Sequence, residues 1–329
     1  MKTLVLRSYQ GERDLEAIAE LFQACEIVDR LDDCVSISAL RRAFNTPAPD
    51  IKSEICLWED GDGKLVGFGK LSIQESSVDA HLSFKVHPTF RGEGIEQEII
   101  KWSEQRIREV AIHTSTSVKL RSDSRDTQTE PMALLESCGF TPNRYFLRME
   151  RSLTEPFPKP ELPRGFTLES PLSQRFSGEI GQQHFLEAWV EMFNQTFIDH
   201  WNHHDLTVEQ LKHETSHPHY RQDLDLVAIS ASDGTFAAFC SCFINPEKNQ
   251  QKGTKEGKIG ILGTRRGFRK CGLGKAMLLS GMQRLRDVGM DKALLGVDAE
   301  NMSGANRLYE SVGFHKVHTN ILYSKEFSA

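Results

Sequence analysis

Apolar and polar positions alternate over residues 3–8 as in a half-buried strand, and Asp14-Leu-Glu-Ala-Ile-Ala-Glu-Leu-Phe then switches to helical spacing. A second short helix is expected over 36–44, ended by Thr-Pro-Ala-Pro at 46–49. Strands at 55–58 and 65–71 flank Glu-Asp-Gly-Asp-Gly-Lys, a strong hairpin signal. A strand at 82–86 leads through Pro88-Thr-Phe-Arg91-Gly-Glu-Gly94-Ile-Glu96 into a helix reaching about Val110. A strand at 117–120, a helix at 130–138 and closing strands over 140–149 complete the first half.

The passage Glu155-Pro-Phe-Pro-Lys-Pro-Glu-Leu-Pro can sustain neither a helix nor a central strand. Beyond it the order of elements repeats: a strand at 166–169, an amphipathic helix at 185–197, a second helix from about Thr207, and strands at 226–230 and 235–243 joined at Ser232-Asp-Gly. A strand from Ile259, a glycine-bearing turn and a helix follow, then a strand at 293–297, a helix at 303–311 and final strands from Phe314. The repeat holds residue by residue. Arg91-Gly-Glu-Gly94-Ile95-Glu96 lies over Arg269-Lys-Cys-Gly272-Leu273-Gly274, and Leu134-Leu135-Glu-Ser-Cys-Gly139-Phe140 over Leu308-Tyr309-Glu-Ser-Val-Gly313-Phe314. The halves read as duplicated domains, 1–152 and 165–329, about a linker at 153–164.

Composition narrows the function. At 329 residues the chain exceeds one ordinary core, and 39% hydrophobic with 26% charged residues is the balance of a soluble protein. No stretch approaches the roughly 18 apolar residues of a membrane span, and the N-terminus runs into a strand with no signal-peptide core, so a cytoplasmic protein is expected. The formal charge is −6; residues 1–152 hold 20 basic against 25 acidic side chains and the rest 20 against 21, so neither half looks like a nucleic-acid binder. Seven cysteines, with no Cys-x-x-Cys pair, give no sign of disulfides; Cys240 and Cys242 share one face of a strand and read as core thiols. Six of twelve histidines fall between His200 and His219, at spacings that match no standard zinc pattern, so no metal is expected.

The chemistry concentrates at Arg269 to Gly274. A strand, a basic glycine-bearing turn and a helix start present free backbone N–H groups, the positive end of a helix dipole and room for close approach, which together favour a phosphate. Arg265, Arg266, Arg269, Lys270 and Lys275 surround it in an otherwise acidic protein.

The Arg-x-x-Gly-x-Gly core and the segment from Asn301 to Leu308-Tyr309-Glu-Ser-Val-Gly-Phe314 resemble those of the GNAT superfamily of acetyl-CoA-dependent N-acetyltransferases, and the tandem layout resembles mycothiol synthase-like two-domain members. The resemblance implies an α/β (α+β) fold of two tandem domains, each a mixed, mostly antiparallel central sheet flanked by helices, whose fourth and fifth strands splay to admit the pantetheine arm. It implies acetyl-CoA as co-substrate, a small-molecule amine as acceptor, and cofactor contacts at Leu262, Gly263, Thr264, Arg269, Lys270, Cys271, Gly272, Leu273, Gly274, Lys275 and Asn301. Asn301 fits the family position facing the CoA arm, and capping of the next helix explains it equally well. Tyr309 stands where family members place the general acid toward the CoA thiolate. Amides of the fourth strand would polarise the carbonyl.

The base is less sharply marked. Family members often have a carboxylate early in the fourth strand, where this chain has Lys258; Glu256, on the same face by strand alternation, is the candidate, with Asp298 and Glu300 as alternatives. Asp199, His200 and Trp201 fall where the first two helices wall the family's acceptor site. Direct transfer is expected rather than an acetyl-cysteine at Cys271. The N-terminal copy departs from the pattern twice: Glu96 replaces Gly274, and Leu135 replaces Tyr309. A structural or substrate-shaping first domain follows from that. Transfer to a protein N-terminus or lysine, and a non-catalytic acyl-CoA-binding module, are the alternative functions.

Overall fold

The computed structural model describes residues 4–32, 35–45, 51–74, 79–198, 205–216, 219–301 and 304–328. The chain divides into two compact units, Met1–Phe146 with His318–Ala329, and Leu147–Val317.

The first unit runs β1 (Val5–Ser8), α1 (Leu15–Asp29), α2 (Ile37–Asn45), β2 (Ile51–Glu59), β3 (Leu65–Gln74), β4 (Asp79–Val86), α3 (Ile95–Thr114), β5 (Val118–Arg125) and α4 (Thr129–Ser137), and enters β6 (Thr141–Ser152). Strands β1 to β4 are antiparallel neighbours. Strand β5 lies parallel to β4 over only three pairs, Asp79↔Lys119 to His81↔Arg121. Past His81 the two strands part. Helix α3 buries Ile95, Ile99, Ile100 and Ile107, the stripe its apolar spacing predicts, against the sheet's Leu71, Leu82 and Leu120.

The second unit repeats the plan with β7 (Phe166–Glu169), α5 (Gly178–Phe197), α6 (Val208–Thr215), β8 (Asp225–Ser230), β9 (Phe236–Phe243), α7 (Pro246–Lys252), β10 (Glu256–Thr264), α8 (Leu273–Asp287), β11 (Lys292–Asp298) and α9 (Ala305–Ser311). β7 to β10 pair antiparallel. β10 and β11 are parallel over three pairs, Glu256↔Lys292 to Lys258↔Leu294, and then splay. One face of the sheet packs on α8: Cys240 and Cys242 approach to 3.8 Å, and a Cβ on Gly281 would meet the Cys240 sulfur at 2.5 Å. That glycine is what lets α8 lie so close to the sheet. The opposite face packs on α5 through Phe185, Trp189, Met192 and Phe239. Helix α7 has no counterpart among the helices read from the sequence, although its signals are present: Asn245 caps Lys248 N at 2.9 Å, Pro246 takes the first turn, and Gly253 closes it at φ +64°.

Two segments sit elsewhere than simple bisection of the sequence places them. The strand β12 (His315–Phe327) completes the first unit: it runs antiparallel to β5 from Asn320↔Arg125 to Phe327↔Val118 and delivers Ile321, Tyr323 and Phe327 to that unit's core. The parallel β4–β5 arrangement leaves the far edge of β5 open, and β12 satisfies its amides and carbonyls. The Pro-rich stretch read as a linker packs on the second unit. Leu153 is fully buried there, its N–H donates to Asp291 O (2.7 Å), and the Arg286 guanidinium stacks over Phe157. Among the described residues no helix is long and apolar enough to cross a membrane.

Candidate active site

The second unit's site is built where β10 gives way to α8. Gly272 is the N-cap of α8 at φ +93°, in the left-handed region, where a side chain costs about 1 kcal/mol. Lys270 adopts φ +64° two residues earlier; the equivalent position in the first unit is Gly92, at φ +75°. The first amide to close a bond on the helix is that of Ala276, onto Gly272 O (3.1 Å), so the N–H groups preceding it face outward as the dipole's positive end. A Cβ on Gly274 would find only Leu308 Cδ2 and Thr264 Oγ1, each at 3.6 Å. Open space therefore borders the cradle, and the end of β10, the first turn of α8 and α9 meet there.

The basic side chains divide their work. Arg269 turns back on the protein: Nε donates to Thr264 O (3.1 Å) and Nη2 to Thr196 O (2.8 Å), bracing the loop against the ends of β10 and α5. Arg91 does the same in the first unit, with Nε on Val86 O (3.2 Å) and its guanidinium bidentate on Asp29. The arginine of the motif thus holds the loop's shape. Arg265 pairs with Glu191 at 2.7 Å. Lys270 and Lys275 are exposed beside the helix start, and the Cys271 thiol, also exposed, donates to Phe268 O (2.9 Å).

Glu96 shows what the cradle accommodates. In the first unit its carboxylate folds over the loop, accepting the Gly92 N–H through Oε1 (3.3 Å), while Oε2 is buried and has no partner among the described residues. The carboxylate stands where the second unit leaves Gly274 open. The splayed cleft beside it still encloses about 720 Å³, lined by β4, β5, α4 and the Arg91 loop.

Tyr309 is 8% exposed on α9, edge-on to Phe314, and burial raises its phenol to about 12. Its hydroxyl has no hydrogen-bond partner among the described residues, which leaves it available to a ligand. Leu135 occupies the same place in the first unit: Phe140 N donates to Leu135 O (3.0 Å) as Phe314 N donates to Tyr309 O (3.1 Å). Asn301 does not cap α9; Gly304 does, and Asn301 N instead closes a turn onto Asp298 O at 3.2 Å. Asp298 is buried and its carboxylate accepts the Glu300 N–H (2.9 Å).

Leu262, Gly263 and Thr264 lie past the point where β10 leaves β11, and pair with β9. A bulge at Gly260 shifts the register just before them, turning the strand beside the open cleft. Glu256 lies at the other end of β10. Its carboxylate stands 3.6 Å from Lys252 Nζ, and its main chain is held by Asn249. Glu256 and Lys258 do share a face and line a cavity of about 330 Å³ with Arg148, Tyr220, Phe243 and Lys248. Reading β10 alone misses that cavity, because Arg148 comes from β6 and Tyr220 from the segment before β8. Behind it, Tyr220 Oη and Ser241 Oγ donate to Asp225 at 2.9 and 2.6 Å, and complete burial raises the Asp225 carboxyl. Asp199, His200 and Trp201 lie outside the described residues.

A duplicated sheet with splayed parallel strands, each followed by an arginine-braced glycine turn and a helix N-terminus, defines an acyltransferase fold. Residues 186–314 match the model of the Acetyltransferase (GNAT) family, which marks a GNAT acetyltransferase domain in the second unit, and the chain as a whole is similar to tandem GNAT N-acetyltransferases. Its relatives include mycothiol acetyltransferases. That of Thermobispora bispora is 28% identical over 312 residues, covering 95% of this chain and 96% of the relative, and that of Salinispora arenicola 26% identical, covering 80% and 79%. Among solved structures, a GCN5-related N-acetyltransferase from Sphaerobacter thermophilus superposes with a TM-score of 0.76 at 26% identity, over 99% of this chain and 96% of that one. A tandem GNAT protein from the clavulanic acid biosynthesis pathway shares the fold at 13% identity, with a TM-score of 0.75 and 98% of each chain covered.

Proposed function

We propose that the second unit transfers an acetyl group from acetyl-CoA directly to a primary amine of a small molecule, and that the first unit is structural or shapes the substrate site. The observation that carries this reading is the contrast between the two cradles: Gly274 leaves the α8 helix start open, whereas Glu96 closes its copy with a carboxylate. CoA brings a pyrophosphate to the open amides, with Lys270 and Lys275 beside it. Its arm then runs along β10 through the splay, so the thioester reaches the region where β10 and β11 close at Lys258 and Leu294.

The amine nitrogen attacks the thioester carbonyl, whose oxygen draws on backbone N–H donors of β10. A carbon–nitrogen bond forms and the carbon–sulfur bond breaks. The departing thiolate takes a proton from Tyr309, whose high pKa keeps it protonated until that moment, and the nitrogen sheds its extra proton to Glu256 or through water to solvent. The names of the relatives, mycothiol acetyltransferases, support a small molecule rather than a protein as acceptor. The test is thiol release from acetyl-CoA by the full-length protein across a panel of small amines and lysine peptides. Stoichiometric acetylamine and thiol from a small amine is the expected result; release with peptides alone, or none at all, overturns the reading.

A further inference from the structure

The cavity on the α5–α6 face of β10 carries charges that acetyl transfer to a simple amine does not require. Lys258 opens into it from the last paired position before the splay, the place nearest the thioester in the transfer reading. The side chain is exposed at the cavity wall, and its pKa is lowered, first by partial desolvation and then by the charges of Arg148 and Lys248. Neither the Lys258 nor the Lys248 ammonium pairs with a carboxylate among the described residues. Of the two acids on the wall, Glu256 is engaged by Lys252 and Glu214 stands exposed at the rim. Three cations therefore converge on about 330 Å³, with Phe243, Ile244 and Leu294 supplying an apolar floor.

An ammonium-bearing acceptor with no other charge is repelled by such a wall. An acceptor that presents an oxyanion neutralises it, and residual positive potential at the amine favours the neutral, nucleophilic form. Resting on the acetyl-transfer reading, we propose that the acceptor is an amine that also carries an oxyanion, a carboxylate or a phosphate, bound by Lys258 and Lys248 with Arg148. The residue at 258 is then a specificity determinant.

The experiment uses the full-length protein with acetyl-CoA and matched acceptor pairs: α-amino acids against their carboxamides for the carboxylate arm, and O-phosphoethanolamine against ethanolamine for the phosphate arm. The expected result is a kcat/KM at least tenfold higher for the charged member of one arm, a ratio that falls toward one in Lys258→Gln through a raised acceptor KM and is kept by Lys258→Arg. Circular dichroism and melting curves establish that each variant is folded. Equal or better use of the neutral members, or a ratio that Lys258→Gln leaves in place, overturns the proposal. Should no amine release thiol, the transfer reading fails by itself, and calorimetric titration with inorganic phosphate and with glycine against glycinamide then decides. Anion binding that weakens in Lys258→Gln upholds the site, and binding that is absent or indifferent to the substitution overturns it.

Discussion

Gly274→Glu copies into the second unit what the first unit has at Glu96, and its two effects run in opposite directions. For the folded protein the change is favourable. Gly274 lies in the first turn of α8, the nearest atoms to an added Cβ stand at 3.6 Å, and nothing is displaced. Replacing glycine within a helix gains about 1 kcal/mol, and an acid in the first turn a further 0.3–1 kcal/mol or so. For acetyl-CoA the change is costly. The new carboxylate competes for the amides that a phosphate needs, and two unit charges about 4 Å apart repel by about 4 kcal/mol at an effective dielectric near 20; solvent at this open rim leaves roughly half. A loss of about 2 kcal/mol is ~30-fold in affinity. Calorimetry with acetyl-CoA and a melting curve on the same preparation read both effects, with Gly274→Ala as the uncharged control that keeps most binding. A folded Gly274→Glu protein that binds acetyl-CoA within threefold of wild type, or that melts below it, refutes the reasoning.

Tyr309→Phe should lower kcat by 10-fold or more, within the usual range of a lost proton donor, while acetyl-CoA affinity stays within about twofold; unchanged turnover would remove Tyr309 from the chemistry. Asp225 gives a pH signature: its pKa is raised in the folded protein, so its contribution is fully present below the unfolded value near 3.8 and is lost as pH rises toward the folded value. Asp225→Asn should flatten the decline of urea midpoint with rising pH, and an identical slope in both proteins would show that the carboxyl is not burdened by burial. Tyr323, 1% exposed in the first unit's core, should cost about 3–5 kcal/mol when cut to alanine, read by urea denaturation, as large aromatic deletions do; a loss below 1 kcal/mol would mean that β12 is dispensable.

Much of this was legible in the chain itself. Helical spacing marks α3 because its buried isoleucines lie on one stripe, whereas α8 is buried all round from Ala276 to Met282 and is marked instead by the turn before it; the glycines of the two turns mark the helix starts because positive φ tolerates little else. What local pattern cannot carry is the partner. Arg269 reads as a cation for an anion, yet its donors meet two carbonyls, one of them 73 residues away. The Asn245-Pro246 start of α7 is a plain cap signal, but the helix is only 7 residues long and buries none of them, so no apolar period accompanies it. The cavity at Lys258 required side chains from segments more than 100 residues apart. The destination of β12 was equally hidden, since its alternating pattern suits any open sheet edge.

That destination governs the order in which the protein can mature. During synthesis the strands up to residue 146 emerge before those of the second unit, but β5 waits with an unpaired edge until 318–327 have been translated, after the second unit's own strands are available. Of the two units the first is thus begun earlier and finished later, and the nascent chain exposes a sheet edge while the whole of the second unit is being made. A fragment ending near residue 152 would carry that edge permanently, so ligand tests on the first unit belong in the complete chain.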